Sequence, residues 1–237
     1  MAPRTRKKPE RRTEALSRER IIEAAVELLD AGGEAGLTFR VLTERLATGP
    51  GAIYWHVANK GELLGAATDA VVADAVTLAP ADAADTPREG IRAVALGLLD
   101  AIEAHPWLAA QLATQLARNP GGTVAPRLFE SIGRQVRALG VPEAGWFTAT
   151  SALVHYILGA AGQHAANTAS ARTLAPDADR TSFLGDVSRT WRELDPDDYP
   201  FTRAVAHQLD DHDDREQFLA GVDFLLTGIN SGRPPGA

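Results

Sequence analysis

Residues 38–64, TFRVLTERLATGPGAIYWHVANKGELL, set the architecture of this chain: they encode two short helices, a tight turn between them and an aromatic cluster on the second. Thr38 is an N-cap candidate, and Val41, Leu42 and Leu46 fall on one face of the helix it opens. Thr48-Gly49-Pro50-Gly51 ends that helix, because glycine relaxes the backbone and proline fits only the first turn of the next. The spacing predicts a second helix over Pro50–Val57, with Ile53 and Val57 as its inward side. Tyr54, Trp55 and His56 are then shared between packing and an outward surface. Asn59, with Glu62 three residues on, forms a capping-box variant, so a new long helix begins at Lys60. Two turn-linked helices, the second showing its first residues outward, fit a DNA major groove about 12 Å wide.

Charge supports that reading. Residues 1–60 carry 11 Lys and Arg against 8 Asp and Glu, while the remainder carries 13 against 23, for a net charge of −7. An acidic protein with a basic front end approaches nucleic acid through that end. Residues 1–16 contain Arg4, Arg6, Lys7, Lys8, Arg11 and Arg12 without apolar periodicity, and read as a disordered basic arm. Such an arm either follows phosphates and the minor groove or stays a solvated terminus.

The absence of cysteine excludes a disulfide scaffold and a thiolate zinc site. No apolar run follows the arm, and no segment is long and apolar enough to span a bilayer, so the expected setting is cytoplasmic, away from the membrane. From Lys60 onward the pattern is helical and without strands. Helices are predicted over Lys60–Leu78, Thr86–Ala104, Pro106–Arg118, Thr123–Leu139, Pro142–Ala166, Phe183–Leu194, Tyr199–Leu209 and His212–Gly228, with Asn167–Thr181 polar and irregular. The fold class is all-α: a three-helix helix-turn-helix domain at 17–64, a helical regulatory and dimerisation domain at 65–229, and a tail at 230–237.

Residues 17–64 resemble the DNA-binding domain of the TetR family of bacterial regulators, in which an aromatic pair followed by a capped lysine grips the phosphate backbone. Carried over by position, the resemblance implies DNA contacts from Thr38, Arg40, Gly49, Pro50, Gly51, Ala52, Tyr54, Trp55 and His56, with Lys60 as phosphate clamp. Where the family has an apolar residue and then a Ser or Thr cap, this chain has Thr48 and Gly49, so its reading helix lacks a side-chain cap. Short side chains dominate that helix, which favours thymine methyls and DNA shape over bidentate guanine contacts.

The body resembles the tetracycline-repressor branch through HPWL at 105–108, ALVHYILGAAG at 152–162, LDPDDYPFTRAVA at 194–206 and FLAGVDFLLTGI at 218–229. The resemblance implies a homodimer formed by the eighth and last helices, for which Gly159, Ala160, Phe218, Val222 and Leu225 are the candidate contacts. It also implies a double-stranded palindromic operator and a small-molecule effector of unknown identity. Tyr156, Gln163 and Asn167 share one stripe of the eighth helix, and with Trp107, Gln111, Trp146 and His155 they form the candidate ligand-binding set. Their alternative role is as ordinary core or interface residues. The acid that in the tetracycline repressor helps hold a drug-chelated metal aligns with Gln163, which argues against tetracycline; no cofactor, metal or catalytic residue is expected.

Two rival functions stand beside a regulator. HQLDDHDD at 207–214 suggests a metal-dependent hydrolase using His207 and His212 with nearby Asp, although the same residues serve as an acidic first turn for the last helix. A nonspecific architectural DNA binder is the third reading, marked by steep salt dependence.

Overall fold

The computed structural model describes residues 16–78, 84–174 and 180–231; all but the last residue of the predicted basic arm and most of the predicted tail lie outside them. Every described element is helical, and the chain divides into two compact units, residues 1–67 and 68–237.

In the first unit α1 spans Arg18–Gly36, α2 Phe39–Leu46 and α3 Pro50–Tyr54. Ser17 caps α1, accepting from the Arg20 amide at 3.3 Å, and the helix breaks at Gly33, whose φ of 60° suits a residue without Cβ. Thr38 caps α2 as predicted, its Oγ1 accepting from the Val41 amide at 3.2 Å. Ile21, Ala25 and Leu29 of α1 close over Leu42, Ile53, Val57 and Leu63, each at most 1% exposed. This small core fixes the helix-turn-helix.

The turn between α2 and α3 falls where expected, with α2 ending at Leu46 and α3 opening at Pro50. Its left-handed residue is Ala47 (φ 49°, ψ 45°), not a glycine, and the Thr48 amide closes onto the Thr43 carbonyl at 3.1 Å. Helix α3 stops at Tyr54 instead of Val57, since the His56 and Val57 amides both return to the Ile53 carbonyl and the chain turns to drop Val57 into the core. The capping box at Asn59 is present in altered form. Asn59 Oδ1 accepts from the Glu62 amide at 2.9 Å, while Glu62 reaches back to the Ala58 amide at 2.8 Å.

Helix α4 (Lys60–Leu78) contributes residues to both units. The second unit continues with α5 (Pro87–Ala104), α6 (Leu108–Arg118), α7 (Val124–Ala138), a 3-10 turn at Glu143–Gly145, and α8 (Trp146–Leu174). It ends with α9 (Arg180–Glu193), α10 (Pro200–Val205), a 3-10 turn at Ala206–Leu209, and α11 (Asp214–Ser231). Helices α5, α7 and α8 pack through Ile91, Leu98, Ile102, Leu128, Ile132, Leu153 and Ile157, all within 1% of full burial. Helix α11 lies along α5 and α8, and α9 packs on α10 and the following 3-10 turn.

Helix α8 corrects the expected irregular stretch at 167–181. It runs unbroken to Leu174, and α9 begins at Arg180. Alanines recurring through 165–171 supply helix propensity that outweighs the polar residues between them. Helix α11 likewise extends past the expected end at Gly228 to Ser231.

Candidate nucleic-acid interface and regulatory cleft

The outward face of the first unit is built from the residues flanking the turn. Thr38, Arg40, Gly49, Pro50 and Gly51 are exposed, Tyr54 is 53% exposed and Trp55 is 90% exposed. An indole so open in water is not filling the small core, which excludes the packing alternative for Trp55. Tyr54 is held in place: its ring stacks on Phe39 with centroids 4.7 Å apart and planes at 10°. Phe39 was not singled out from the sequence; its signal is an aromatic at the first position of α2 facing an aromatic-rich second helix. Ala52 and His56 are half-buried behind this surface.

Arg40 projects from α2 and pairs with Glu44 at 3.2 Å, an exposed contact that DNA can replace. Gly49 caps α3 without a side-chain hydrogen bond, as the sequence implied. Lys60 is tied by its Nζ to the Glu34 carbonyl at 2.7 Å, with a Glu34 carboxylate oxygen at 3.9 Å, so its ammonium is stationed at the end of α1.

In the second unit a cleft of about 420 Å³ lies between α8 and α11. Of the seven predicted ligand residues it gathers Tyr156, Gln163 and Asn167, joined there by His164, Asp214, Gln217 and Phe224. Tyr156 stacks on Phe218 with centroids 6.1 Å apart and donates its hydroxyl to the Phe218 carbonyl at 3.1 Å. Desolvation pushes the Tyr156 phenol above its ordinary value.

The other four predicted ligand residues lie elsewhere. Trp107 and Gln111 are buried in the body's own packing. Trp146 anchors the start of α8: its Nε1 donates to the Val141 carbonyl at 2.7 Å, and Arg137 lies over its ring at 5.5 Å. His155 is exposed on the outer side of α8. Of the predicted dimer residues, Phe218 and Val222 are corrected. Phe218 and Val222 are buried within the chain at 4% and 0% exposure, and Leu225 is half-buried. Helical period gives the angle between positions but not which side meets the core, and α11 turns Phe224, at 78% exposure, outward instead. Gly159 is exposed and Ala160 half-buried beside it.

The acidic run at 207–214 is occupied structurally. His207 Nδ1 contacts the Ala204 carbonyl at 2.9 Å, Arg192 pairs with Asp210 at 2.6 Å, and Asp213 accepts from the Glu216 amide at 2.7 Å. Asp214 receives Nε and Nη2 of Arg180, both at 2.9 Å, and His212 Nε2 at 3.0 Å. Among the described residues no group of three or more His, Asp and Glu is arranged to hold a metal, so the hydrolase reading has no ligand set. Among them, too, no single helix is long and apolar enough to cross a membrane.

Residues 21–67 match the bacterial regulatory proteins of the tetR family, and residues 79–232 match the tetracyclin repressor-like C-terminal domain. The chain belongs to the TetR family. This TetR regulator is 30% identical over 214 residues to an HTH-type transcriptional regulator of Saccharopolyspora erythraea, covering 90% of this chain and 84% of the relative. Among solved structures it is 69% identical to the transcriptional regulator SCO7222, a TetR from Streptomyces coelicolor, with a TM-score of 0.83 over 92% of this chain and 99% of that one. It is 28% identical to BioQ, solved with its double-stranded DNA operator, with a TM-score of 0.62 over 92% of this chain and 100% of that one. The exposed aromatic face therefore sits on the DNA-binding module of a transcriptional regulator, and the cleft in the domain that follows it.

Proposed function

We propose that this TetR regulator is a cytoplasmic repressor that binds a palindromic operator as a twofold homodimer and leaves it when a small molecule occupies the second unit. The observation that carries the DNA part is Trp55, 90% exposed beside a Tyr54 fixed by Phe39 on a helix too short to be an independent structure. One such helix covers only a few base pairs, so two related by a twofold axis are needed to read half-sites about one helical turn apart. Thr38, Arg40 and the Gly49–Trp55 face supply groove and backbone contacts, and Lys60 adds charge to the phosphate side. The arm at 1–16 adds salt-sensitive affinity.

The second unit supplies the partner contact and the switch. Gly159 on α8 and Ala220, Phe224 and Gly228 on α11 form an outward face of small residues around one large apolar side chain, suited to a second copy. A ligand that binds more tightly to a dimer whose reading helices are misplaced shifts the population off DNA, with α4 as the connecting element. About 100-fold release needs about 2.7 kcal/mol of coupling.

The test is a selection of the purified protein against a randomised duplex library at near-physiological salt. A twofold-symmetric enriched motif is expected. Folded protein that enriches nothing would overturn the reading and favour nonspecific architectural binding.

A further inference from the structure

The folded reading head is acidic. Residues 16–67 carry five Lys and Arg (Arg18, Arg20, Arg40, Arg45, Lys60) against seven Asp and Glu. The positive surplus of the first sixty residues comes from residues 1–15, with six Lys and Arg against two Glu. A module that meets a polyanion is expected to carry the opposite balance. Its cations are also engaged within the head. Arg40 Nη1 meets Glu44 Oε1 at 3.2 Å, and Lys60 Nζ lies 2.7 Å from the Glu34 carbonyl and 3.9 Å from its carboxylate. Arg18 faces Glu62 at 3.5 Å, and Arg45 pairs with Glu27. The Arg40 and Glu44 side chains are 80% and 62% exposed, and pairs so open to water contribute little to stability. Their effect falls on the approach of DNA.

Two of these pairs lie at the cations assigned to DNA. Glu44 occupies one edge of the Arg40 guanidinium, which has five N–H donors in all, and the Glu34 carbonyl takes one of the three ammonium protons of Lys60. A cation on a free stem follows a phosphate wherever it lies, whereas one tethered at its side meets a phosphate in one place. We propose that Glu44 and Glu34 are specificity-determining residues: they hold Arg40 and Lys60 for the phosphates of a correctly seated duplex and repel phosphates in every other register. Groove contacts from Tyr54 and Trp55 seat the operator so that its phosphates reach the N–H groups left open. A duplex without those contacts is held by charge alone. Its phosphates then pass the carboxylates within the screening length, about 8 Å at physiological salt, and an acidic head attracts them weakly. Affinity for random DNA is given up, and the gap between operator and random sequence widens. This inference rests on the reading of the chain as a sequence-specific repressor and names residues that set its discrimination.

The test is fluorescence anisotropy of the full chain on two duplexes of equal length, one enriched by the wild type from a randomised library and one of random sequence. Wild type, Glu44→Gln, Glu34→Gln and the double variant are compared at near-physiological salt, with thermal unfolding showing each folded. The double variant is expected to bind random DNA about tenfold more tightly and the enriched duplex no more than about twofold more tightly, so that discrimination falls about fivefold. Each single variant should gain about threefold on random DNA, which keeps the test intact if the double variant does not fold. The gain should vanish in high salt, where screening does what the substitutions do. Equal gains on both duplexes, no gain on random DNA, or a gain that persists in high salt would overturn the assignment. The last would trace the effect to altered packing. A wild type that enriches no sequence would remove the repressor reading, and that failure is read before any variant is compared.

Discussion

Gly221 passes directly beneath the hydroxyl of Tyr156: a Cβ at that position would lie 1.8 Å from the phenolic oxygen and 2.2 Å from the ring carbon bearing it. Alanine normally favours a helix over glycine by about 1 kcal/mol, yet here the ring would have to move and give up its bond to the Phe218 carbonyl. Gly221→Ala is expected to destabilise the protein by about 1–3 kcal/mol in urea unfolding. A gain in stability would mean that α8 and α11 do not approach so closely.

Ala47 invites the opposite substitution. A non-glycine residue at φ 49° costs about 1–2 kcal/mol, and glycine recovers most of that while losing some entropy. Ala47→Gly should raise the urea midpoint by the equivalent of about 0.5 kcal/mol with an unchanged m-value, whereas Ala47→Val should lower it. Both variants leave the reading face chemically intact.

Trp55 and Tyr54 separate binding from stability. Trp55→Ala removes a side chain that is 90% exposed, so operator affinity is expected to fall about tenfold or more while melting temperature stays unchanged. Tyr54→Ala also loses the stack on Phe39, worth about 0.5–1.5 kcal/mol, and should lower both. Fluorescence anisotropy on the selected operator, paired with thermal unfolding, distinguishes them.

The pairing of Asp223 with Arg88 and Arg92 predicts a pH dependence. Burial pushes the Asp223 carboxyl up, but hydrogen bonds and charge from Arg92 and then Arg88 outweigh it and hold the group below the ordinary aspartate value. A depressed folded value means that this stabilisation is fully present above the unfolded pKa of about 3.9 and lost as pH falls through the folded value. Asp223→Asn should therefore be less stable than wild type at neutral pH, with the gap closing in acid. A gap independent of pH would show that charge plays no part.

Much of this was legible locally. Thr38, Asn59 with Glu62, and Thr86 signal helix starts because a cap and its amide lie three residues apart, and the structure pairs each of them. The turn was harder: Gly49-Pro50-Gly51 marks the break, but the left-handed residue that closes α2 is Ala47, directly after the last helical residue, Leu46. The cleft was partly legible, since Tyr156, Gln163 and Asn167 share a stripe of α8. Its other wall comes from α11, some fifty residues away. Periodicity places Phe218 and Phe224 at different angles on α11, but only packing against α5 and α8 decides which is buried.

The Arg180–Asp214 pair has a consequence for how the molecule opens. It clasps the first residue of α9 to the first residue of α11, while the rest of α9 packs on α10 and its 3-10 turn through Ser188 Oγ, which donates to the Ala206 carbonyl at 2.8 Å. A limb that packs largely on α10 and the 3-10 turn, and is joined to α11 by this bidentate clasp, is expected to open as a unit. Its amides should exchange with solvent through a local opening well below the global unfolding free energy, with the core of α5, α7 and α8 still closed. Within the second unit, then, a strongly protected core and a readily opened limb are expected to follow one another along the chain, from α8 into α9.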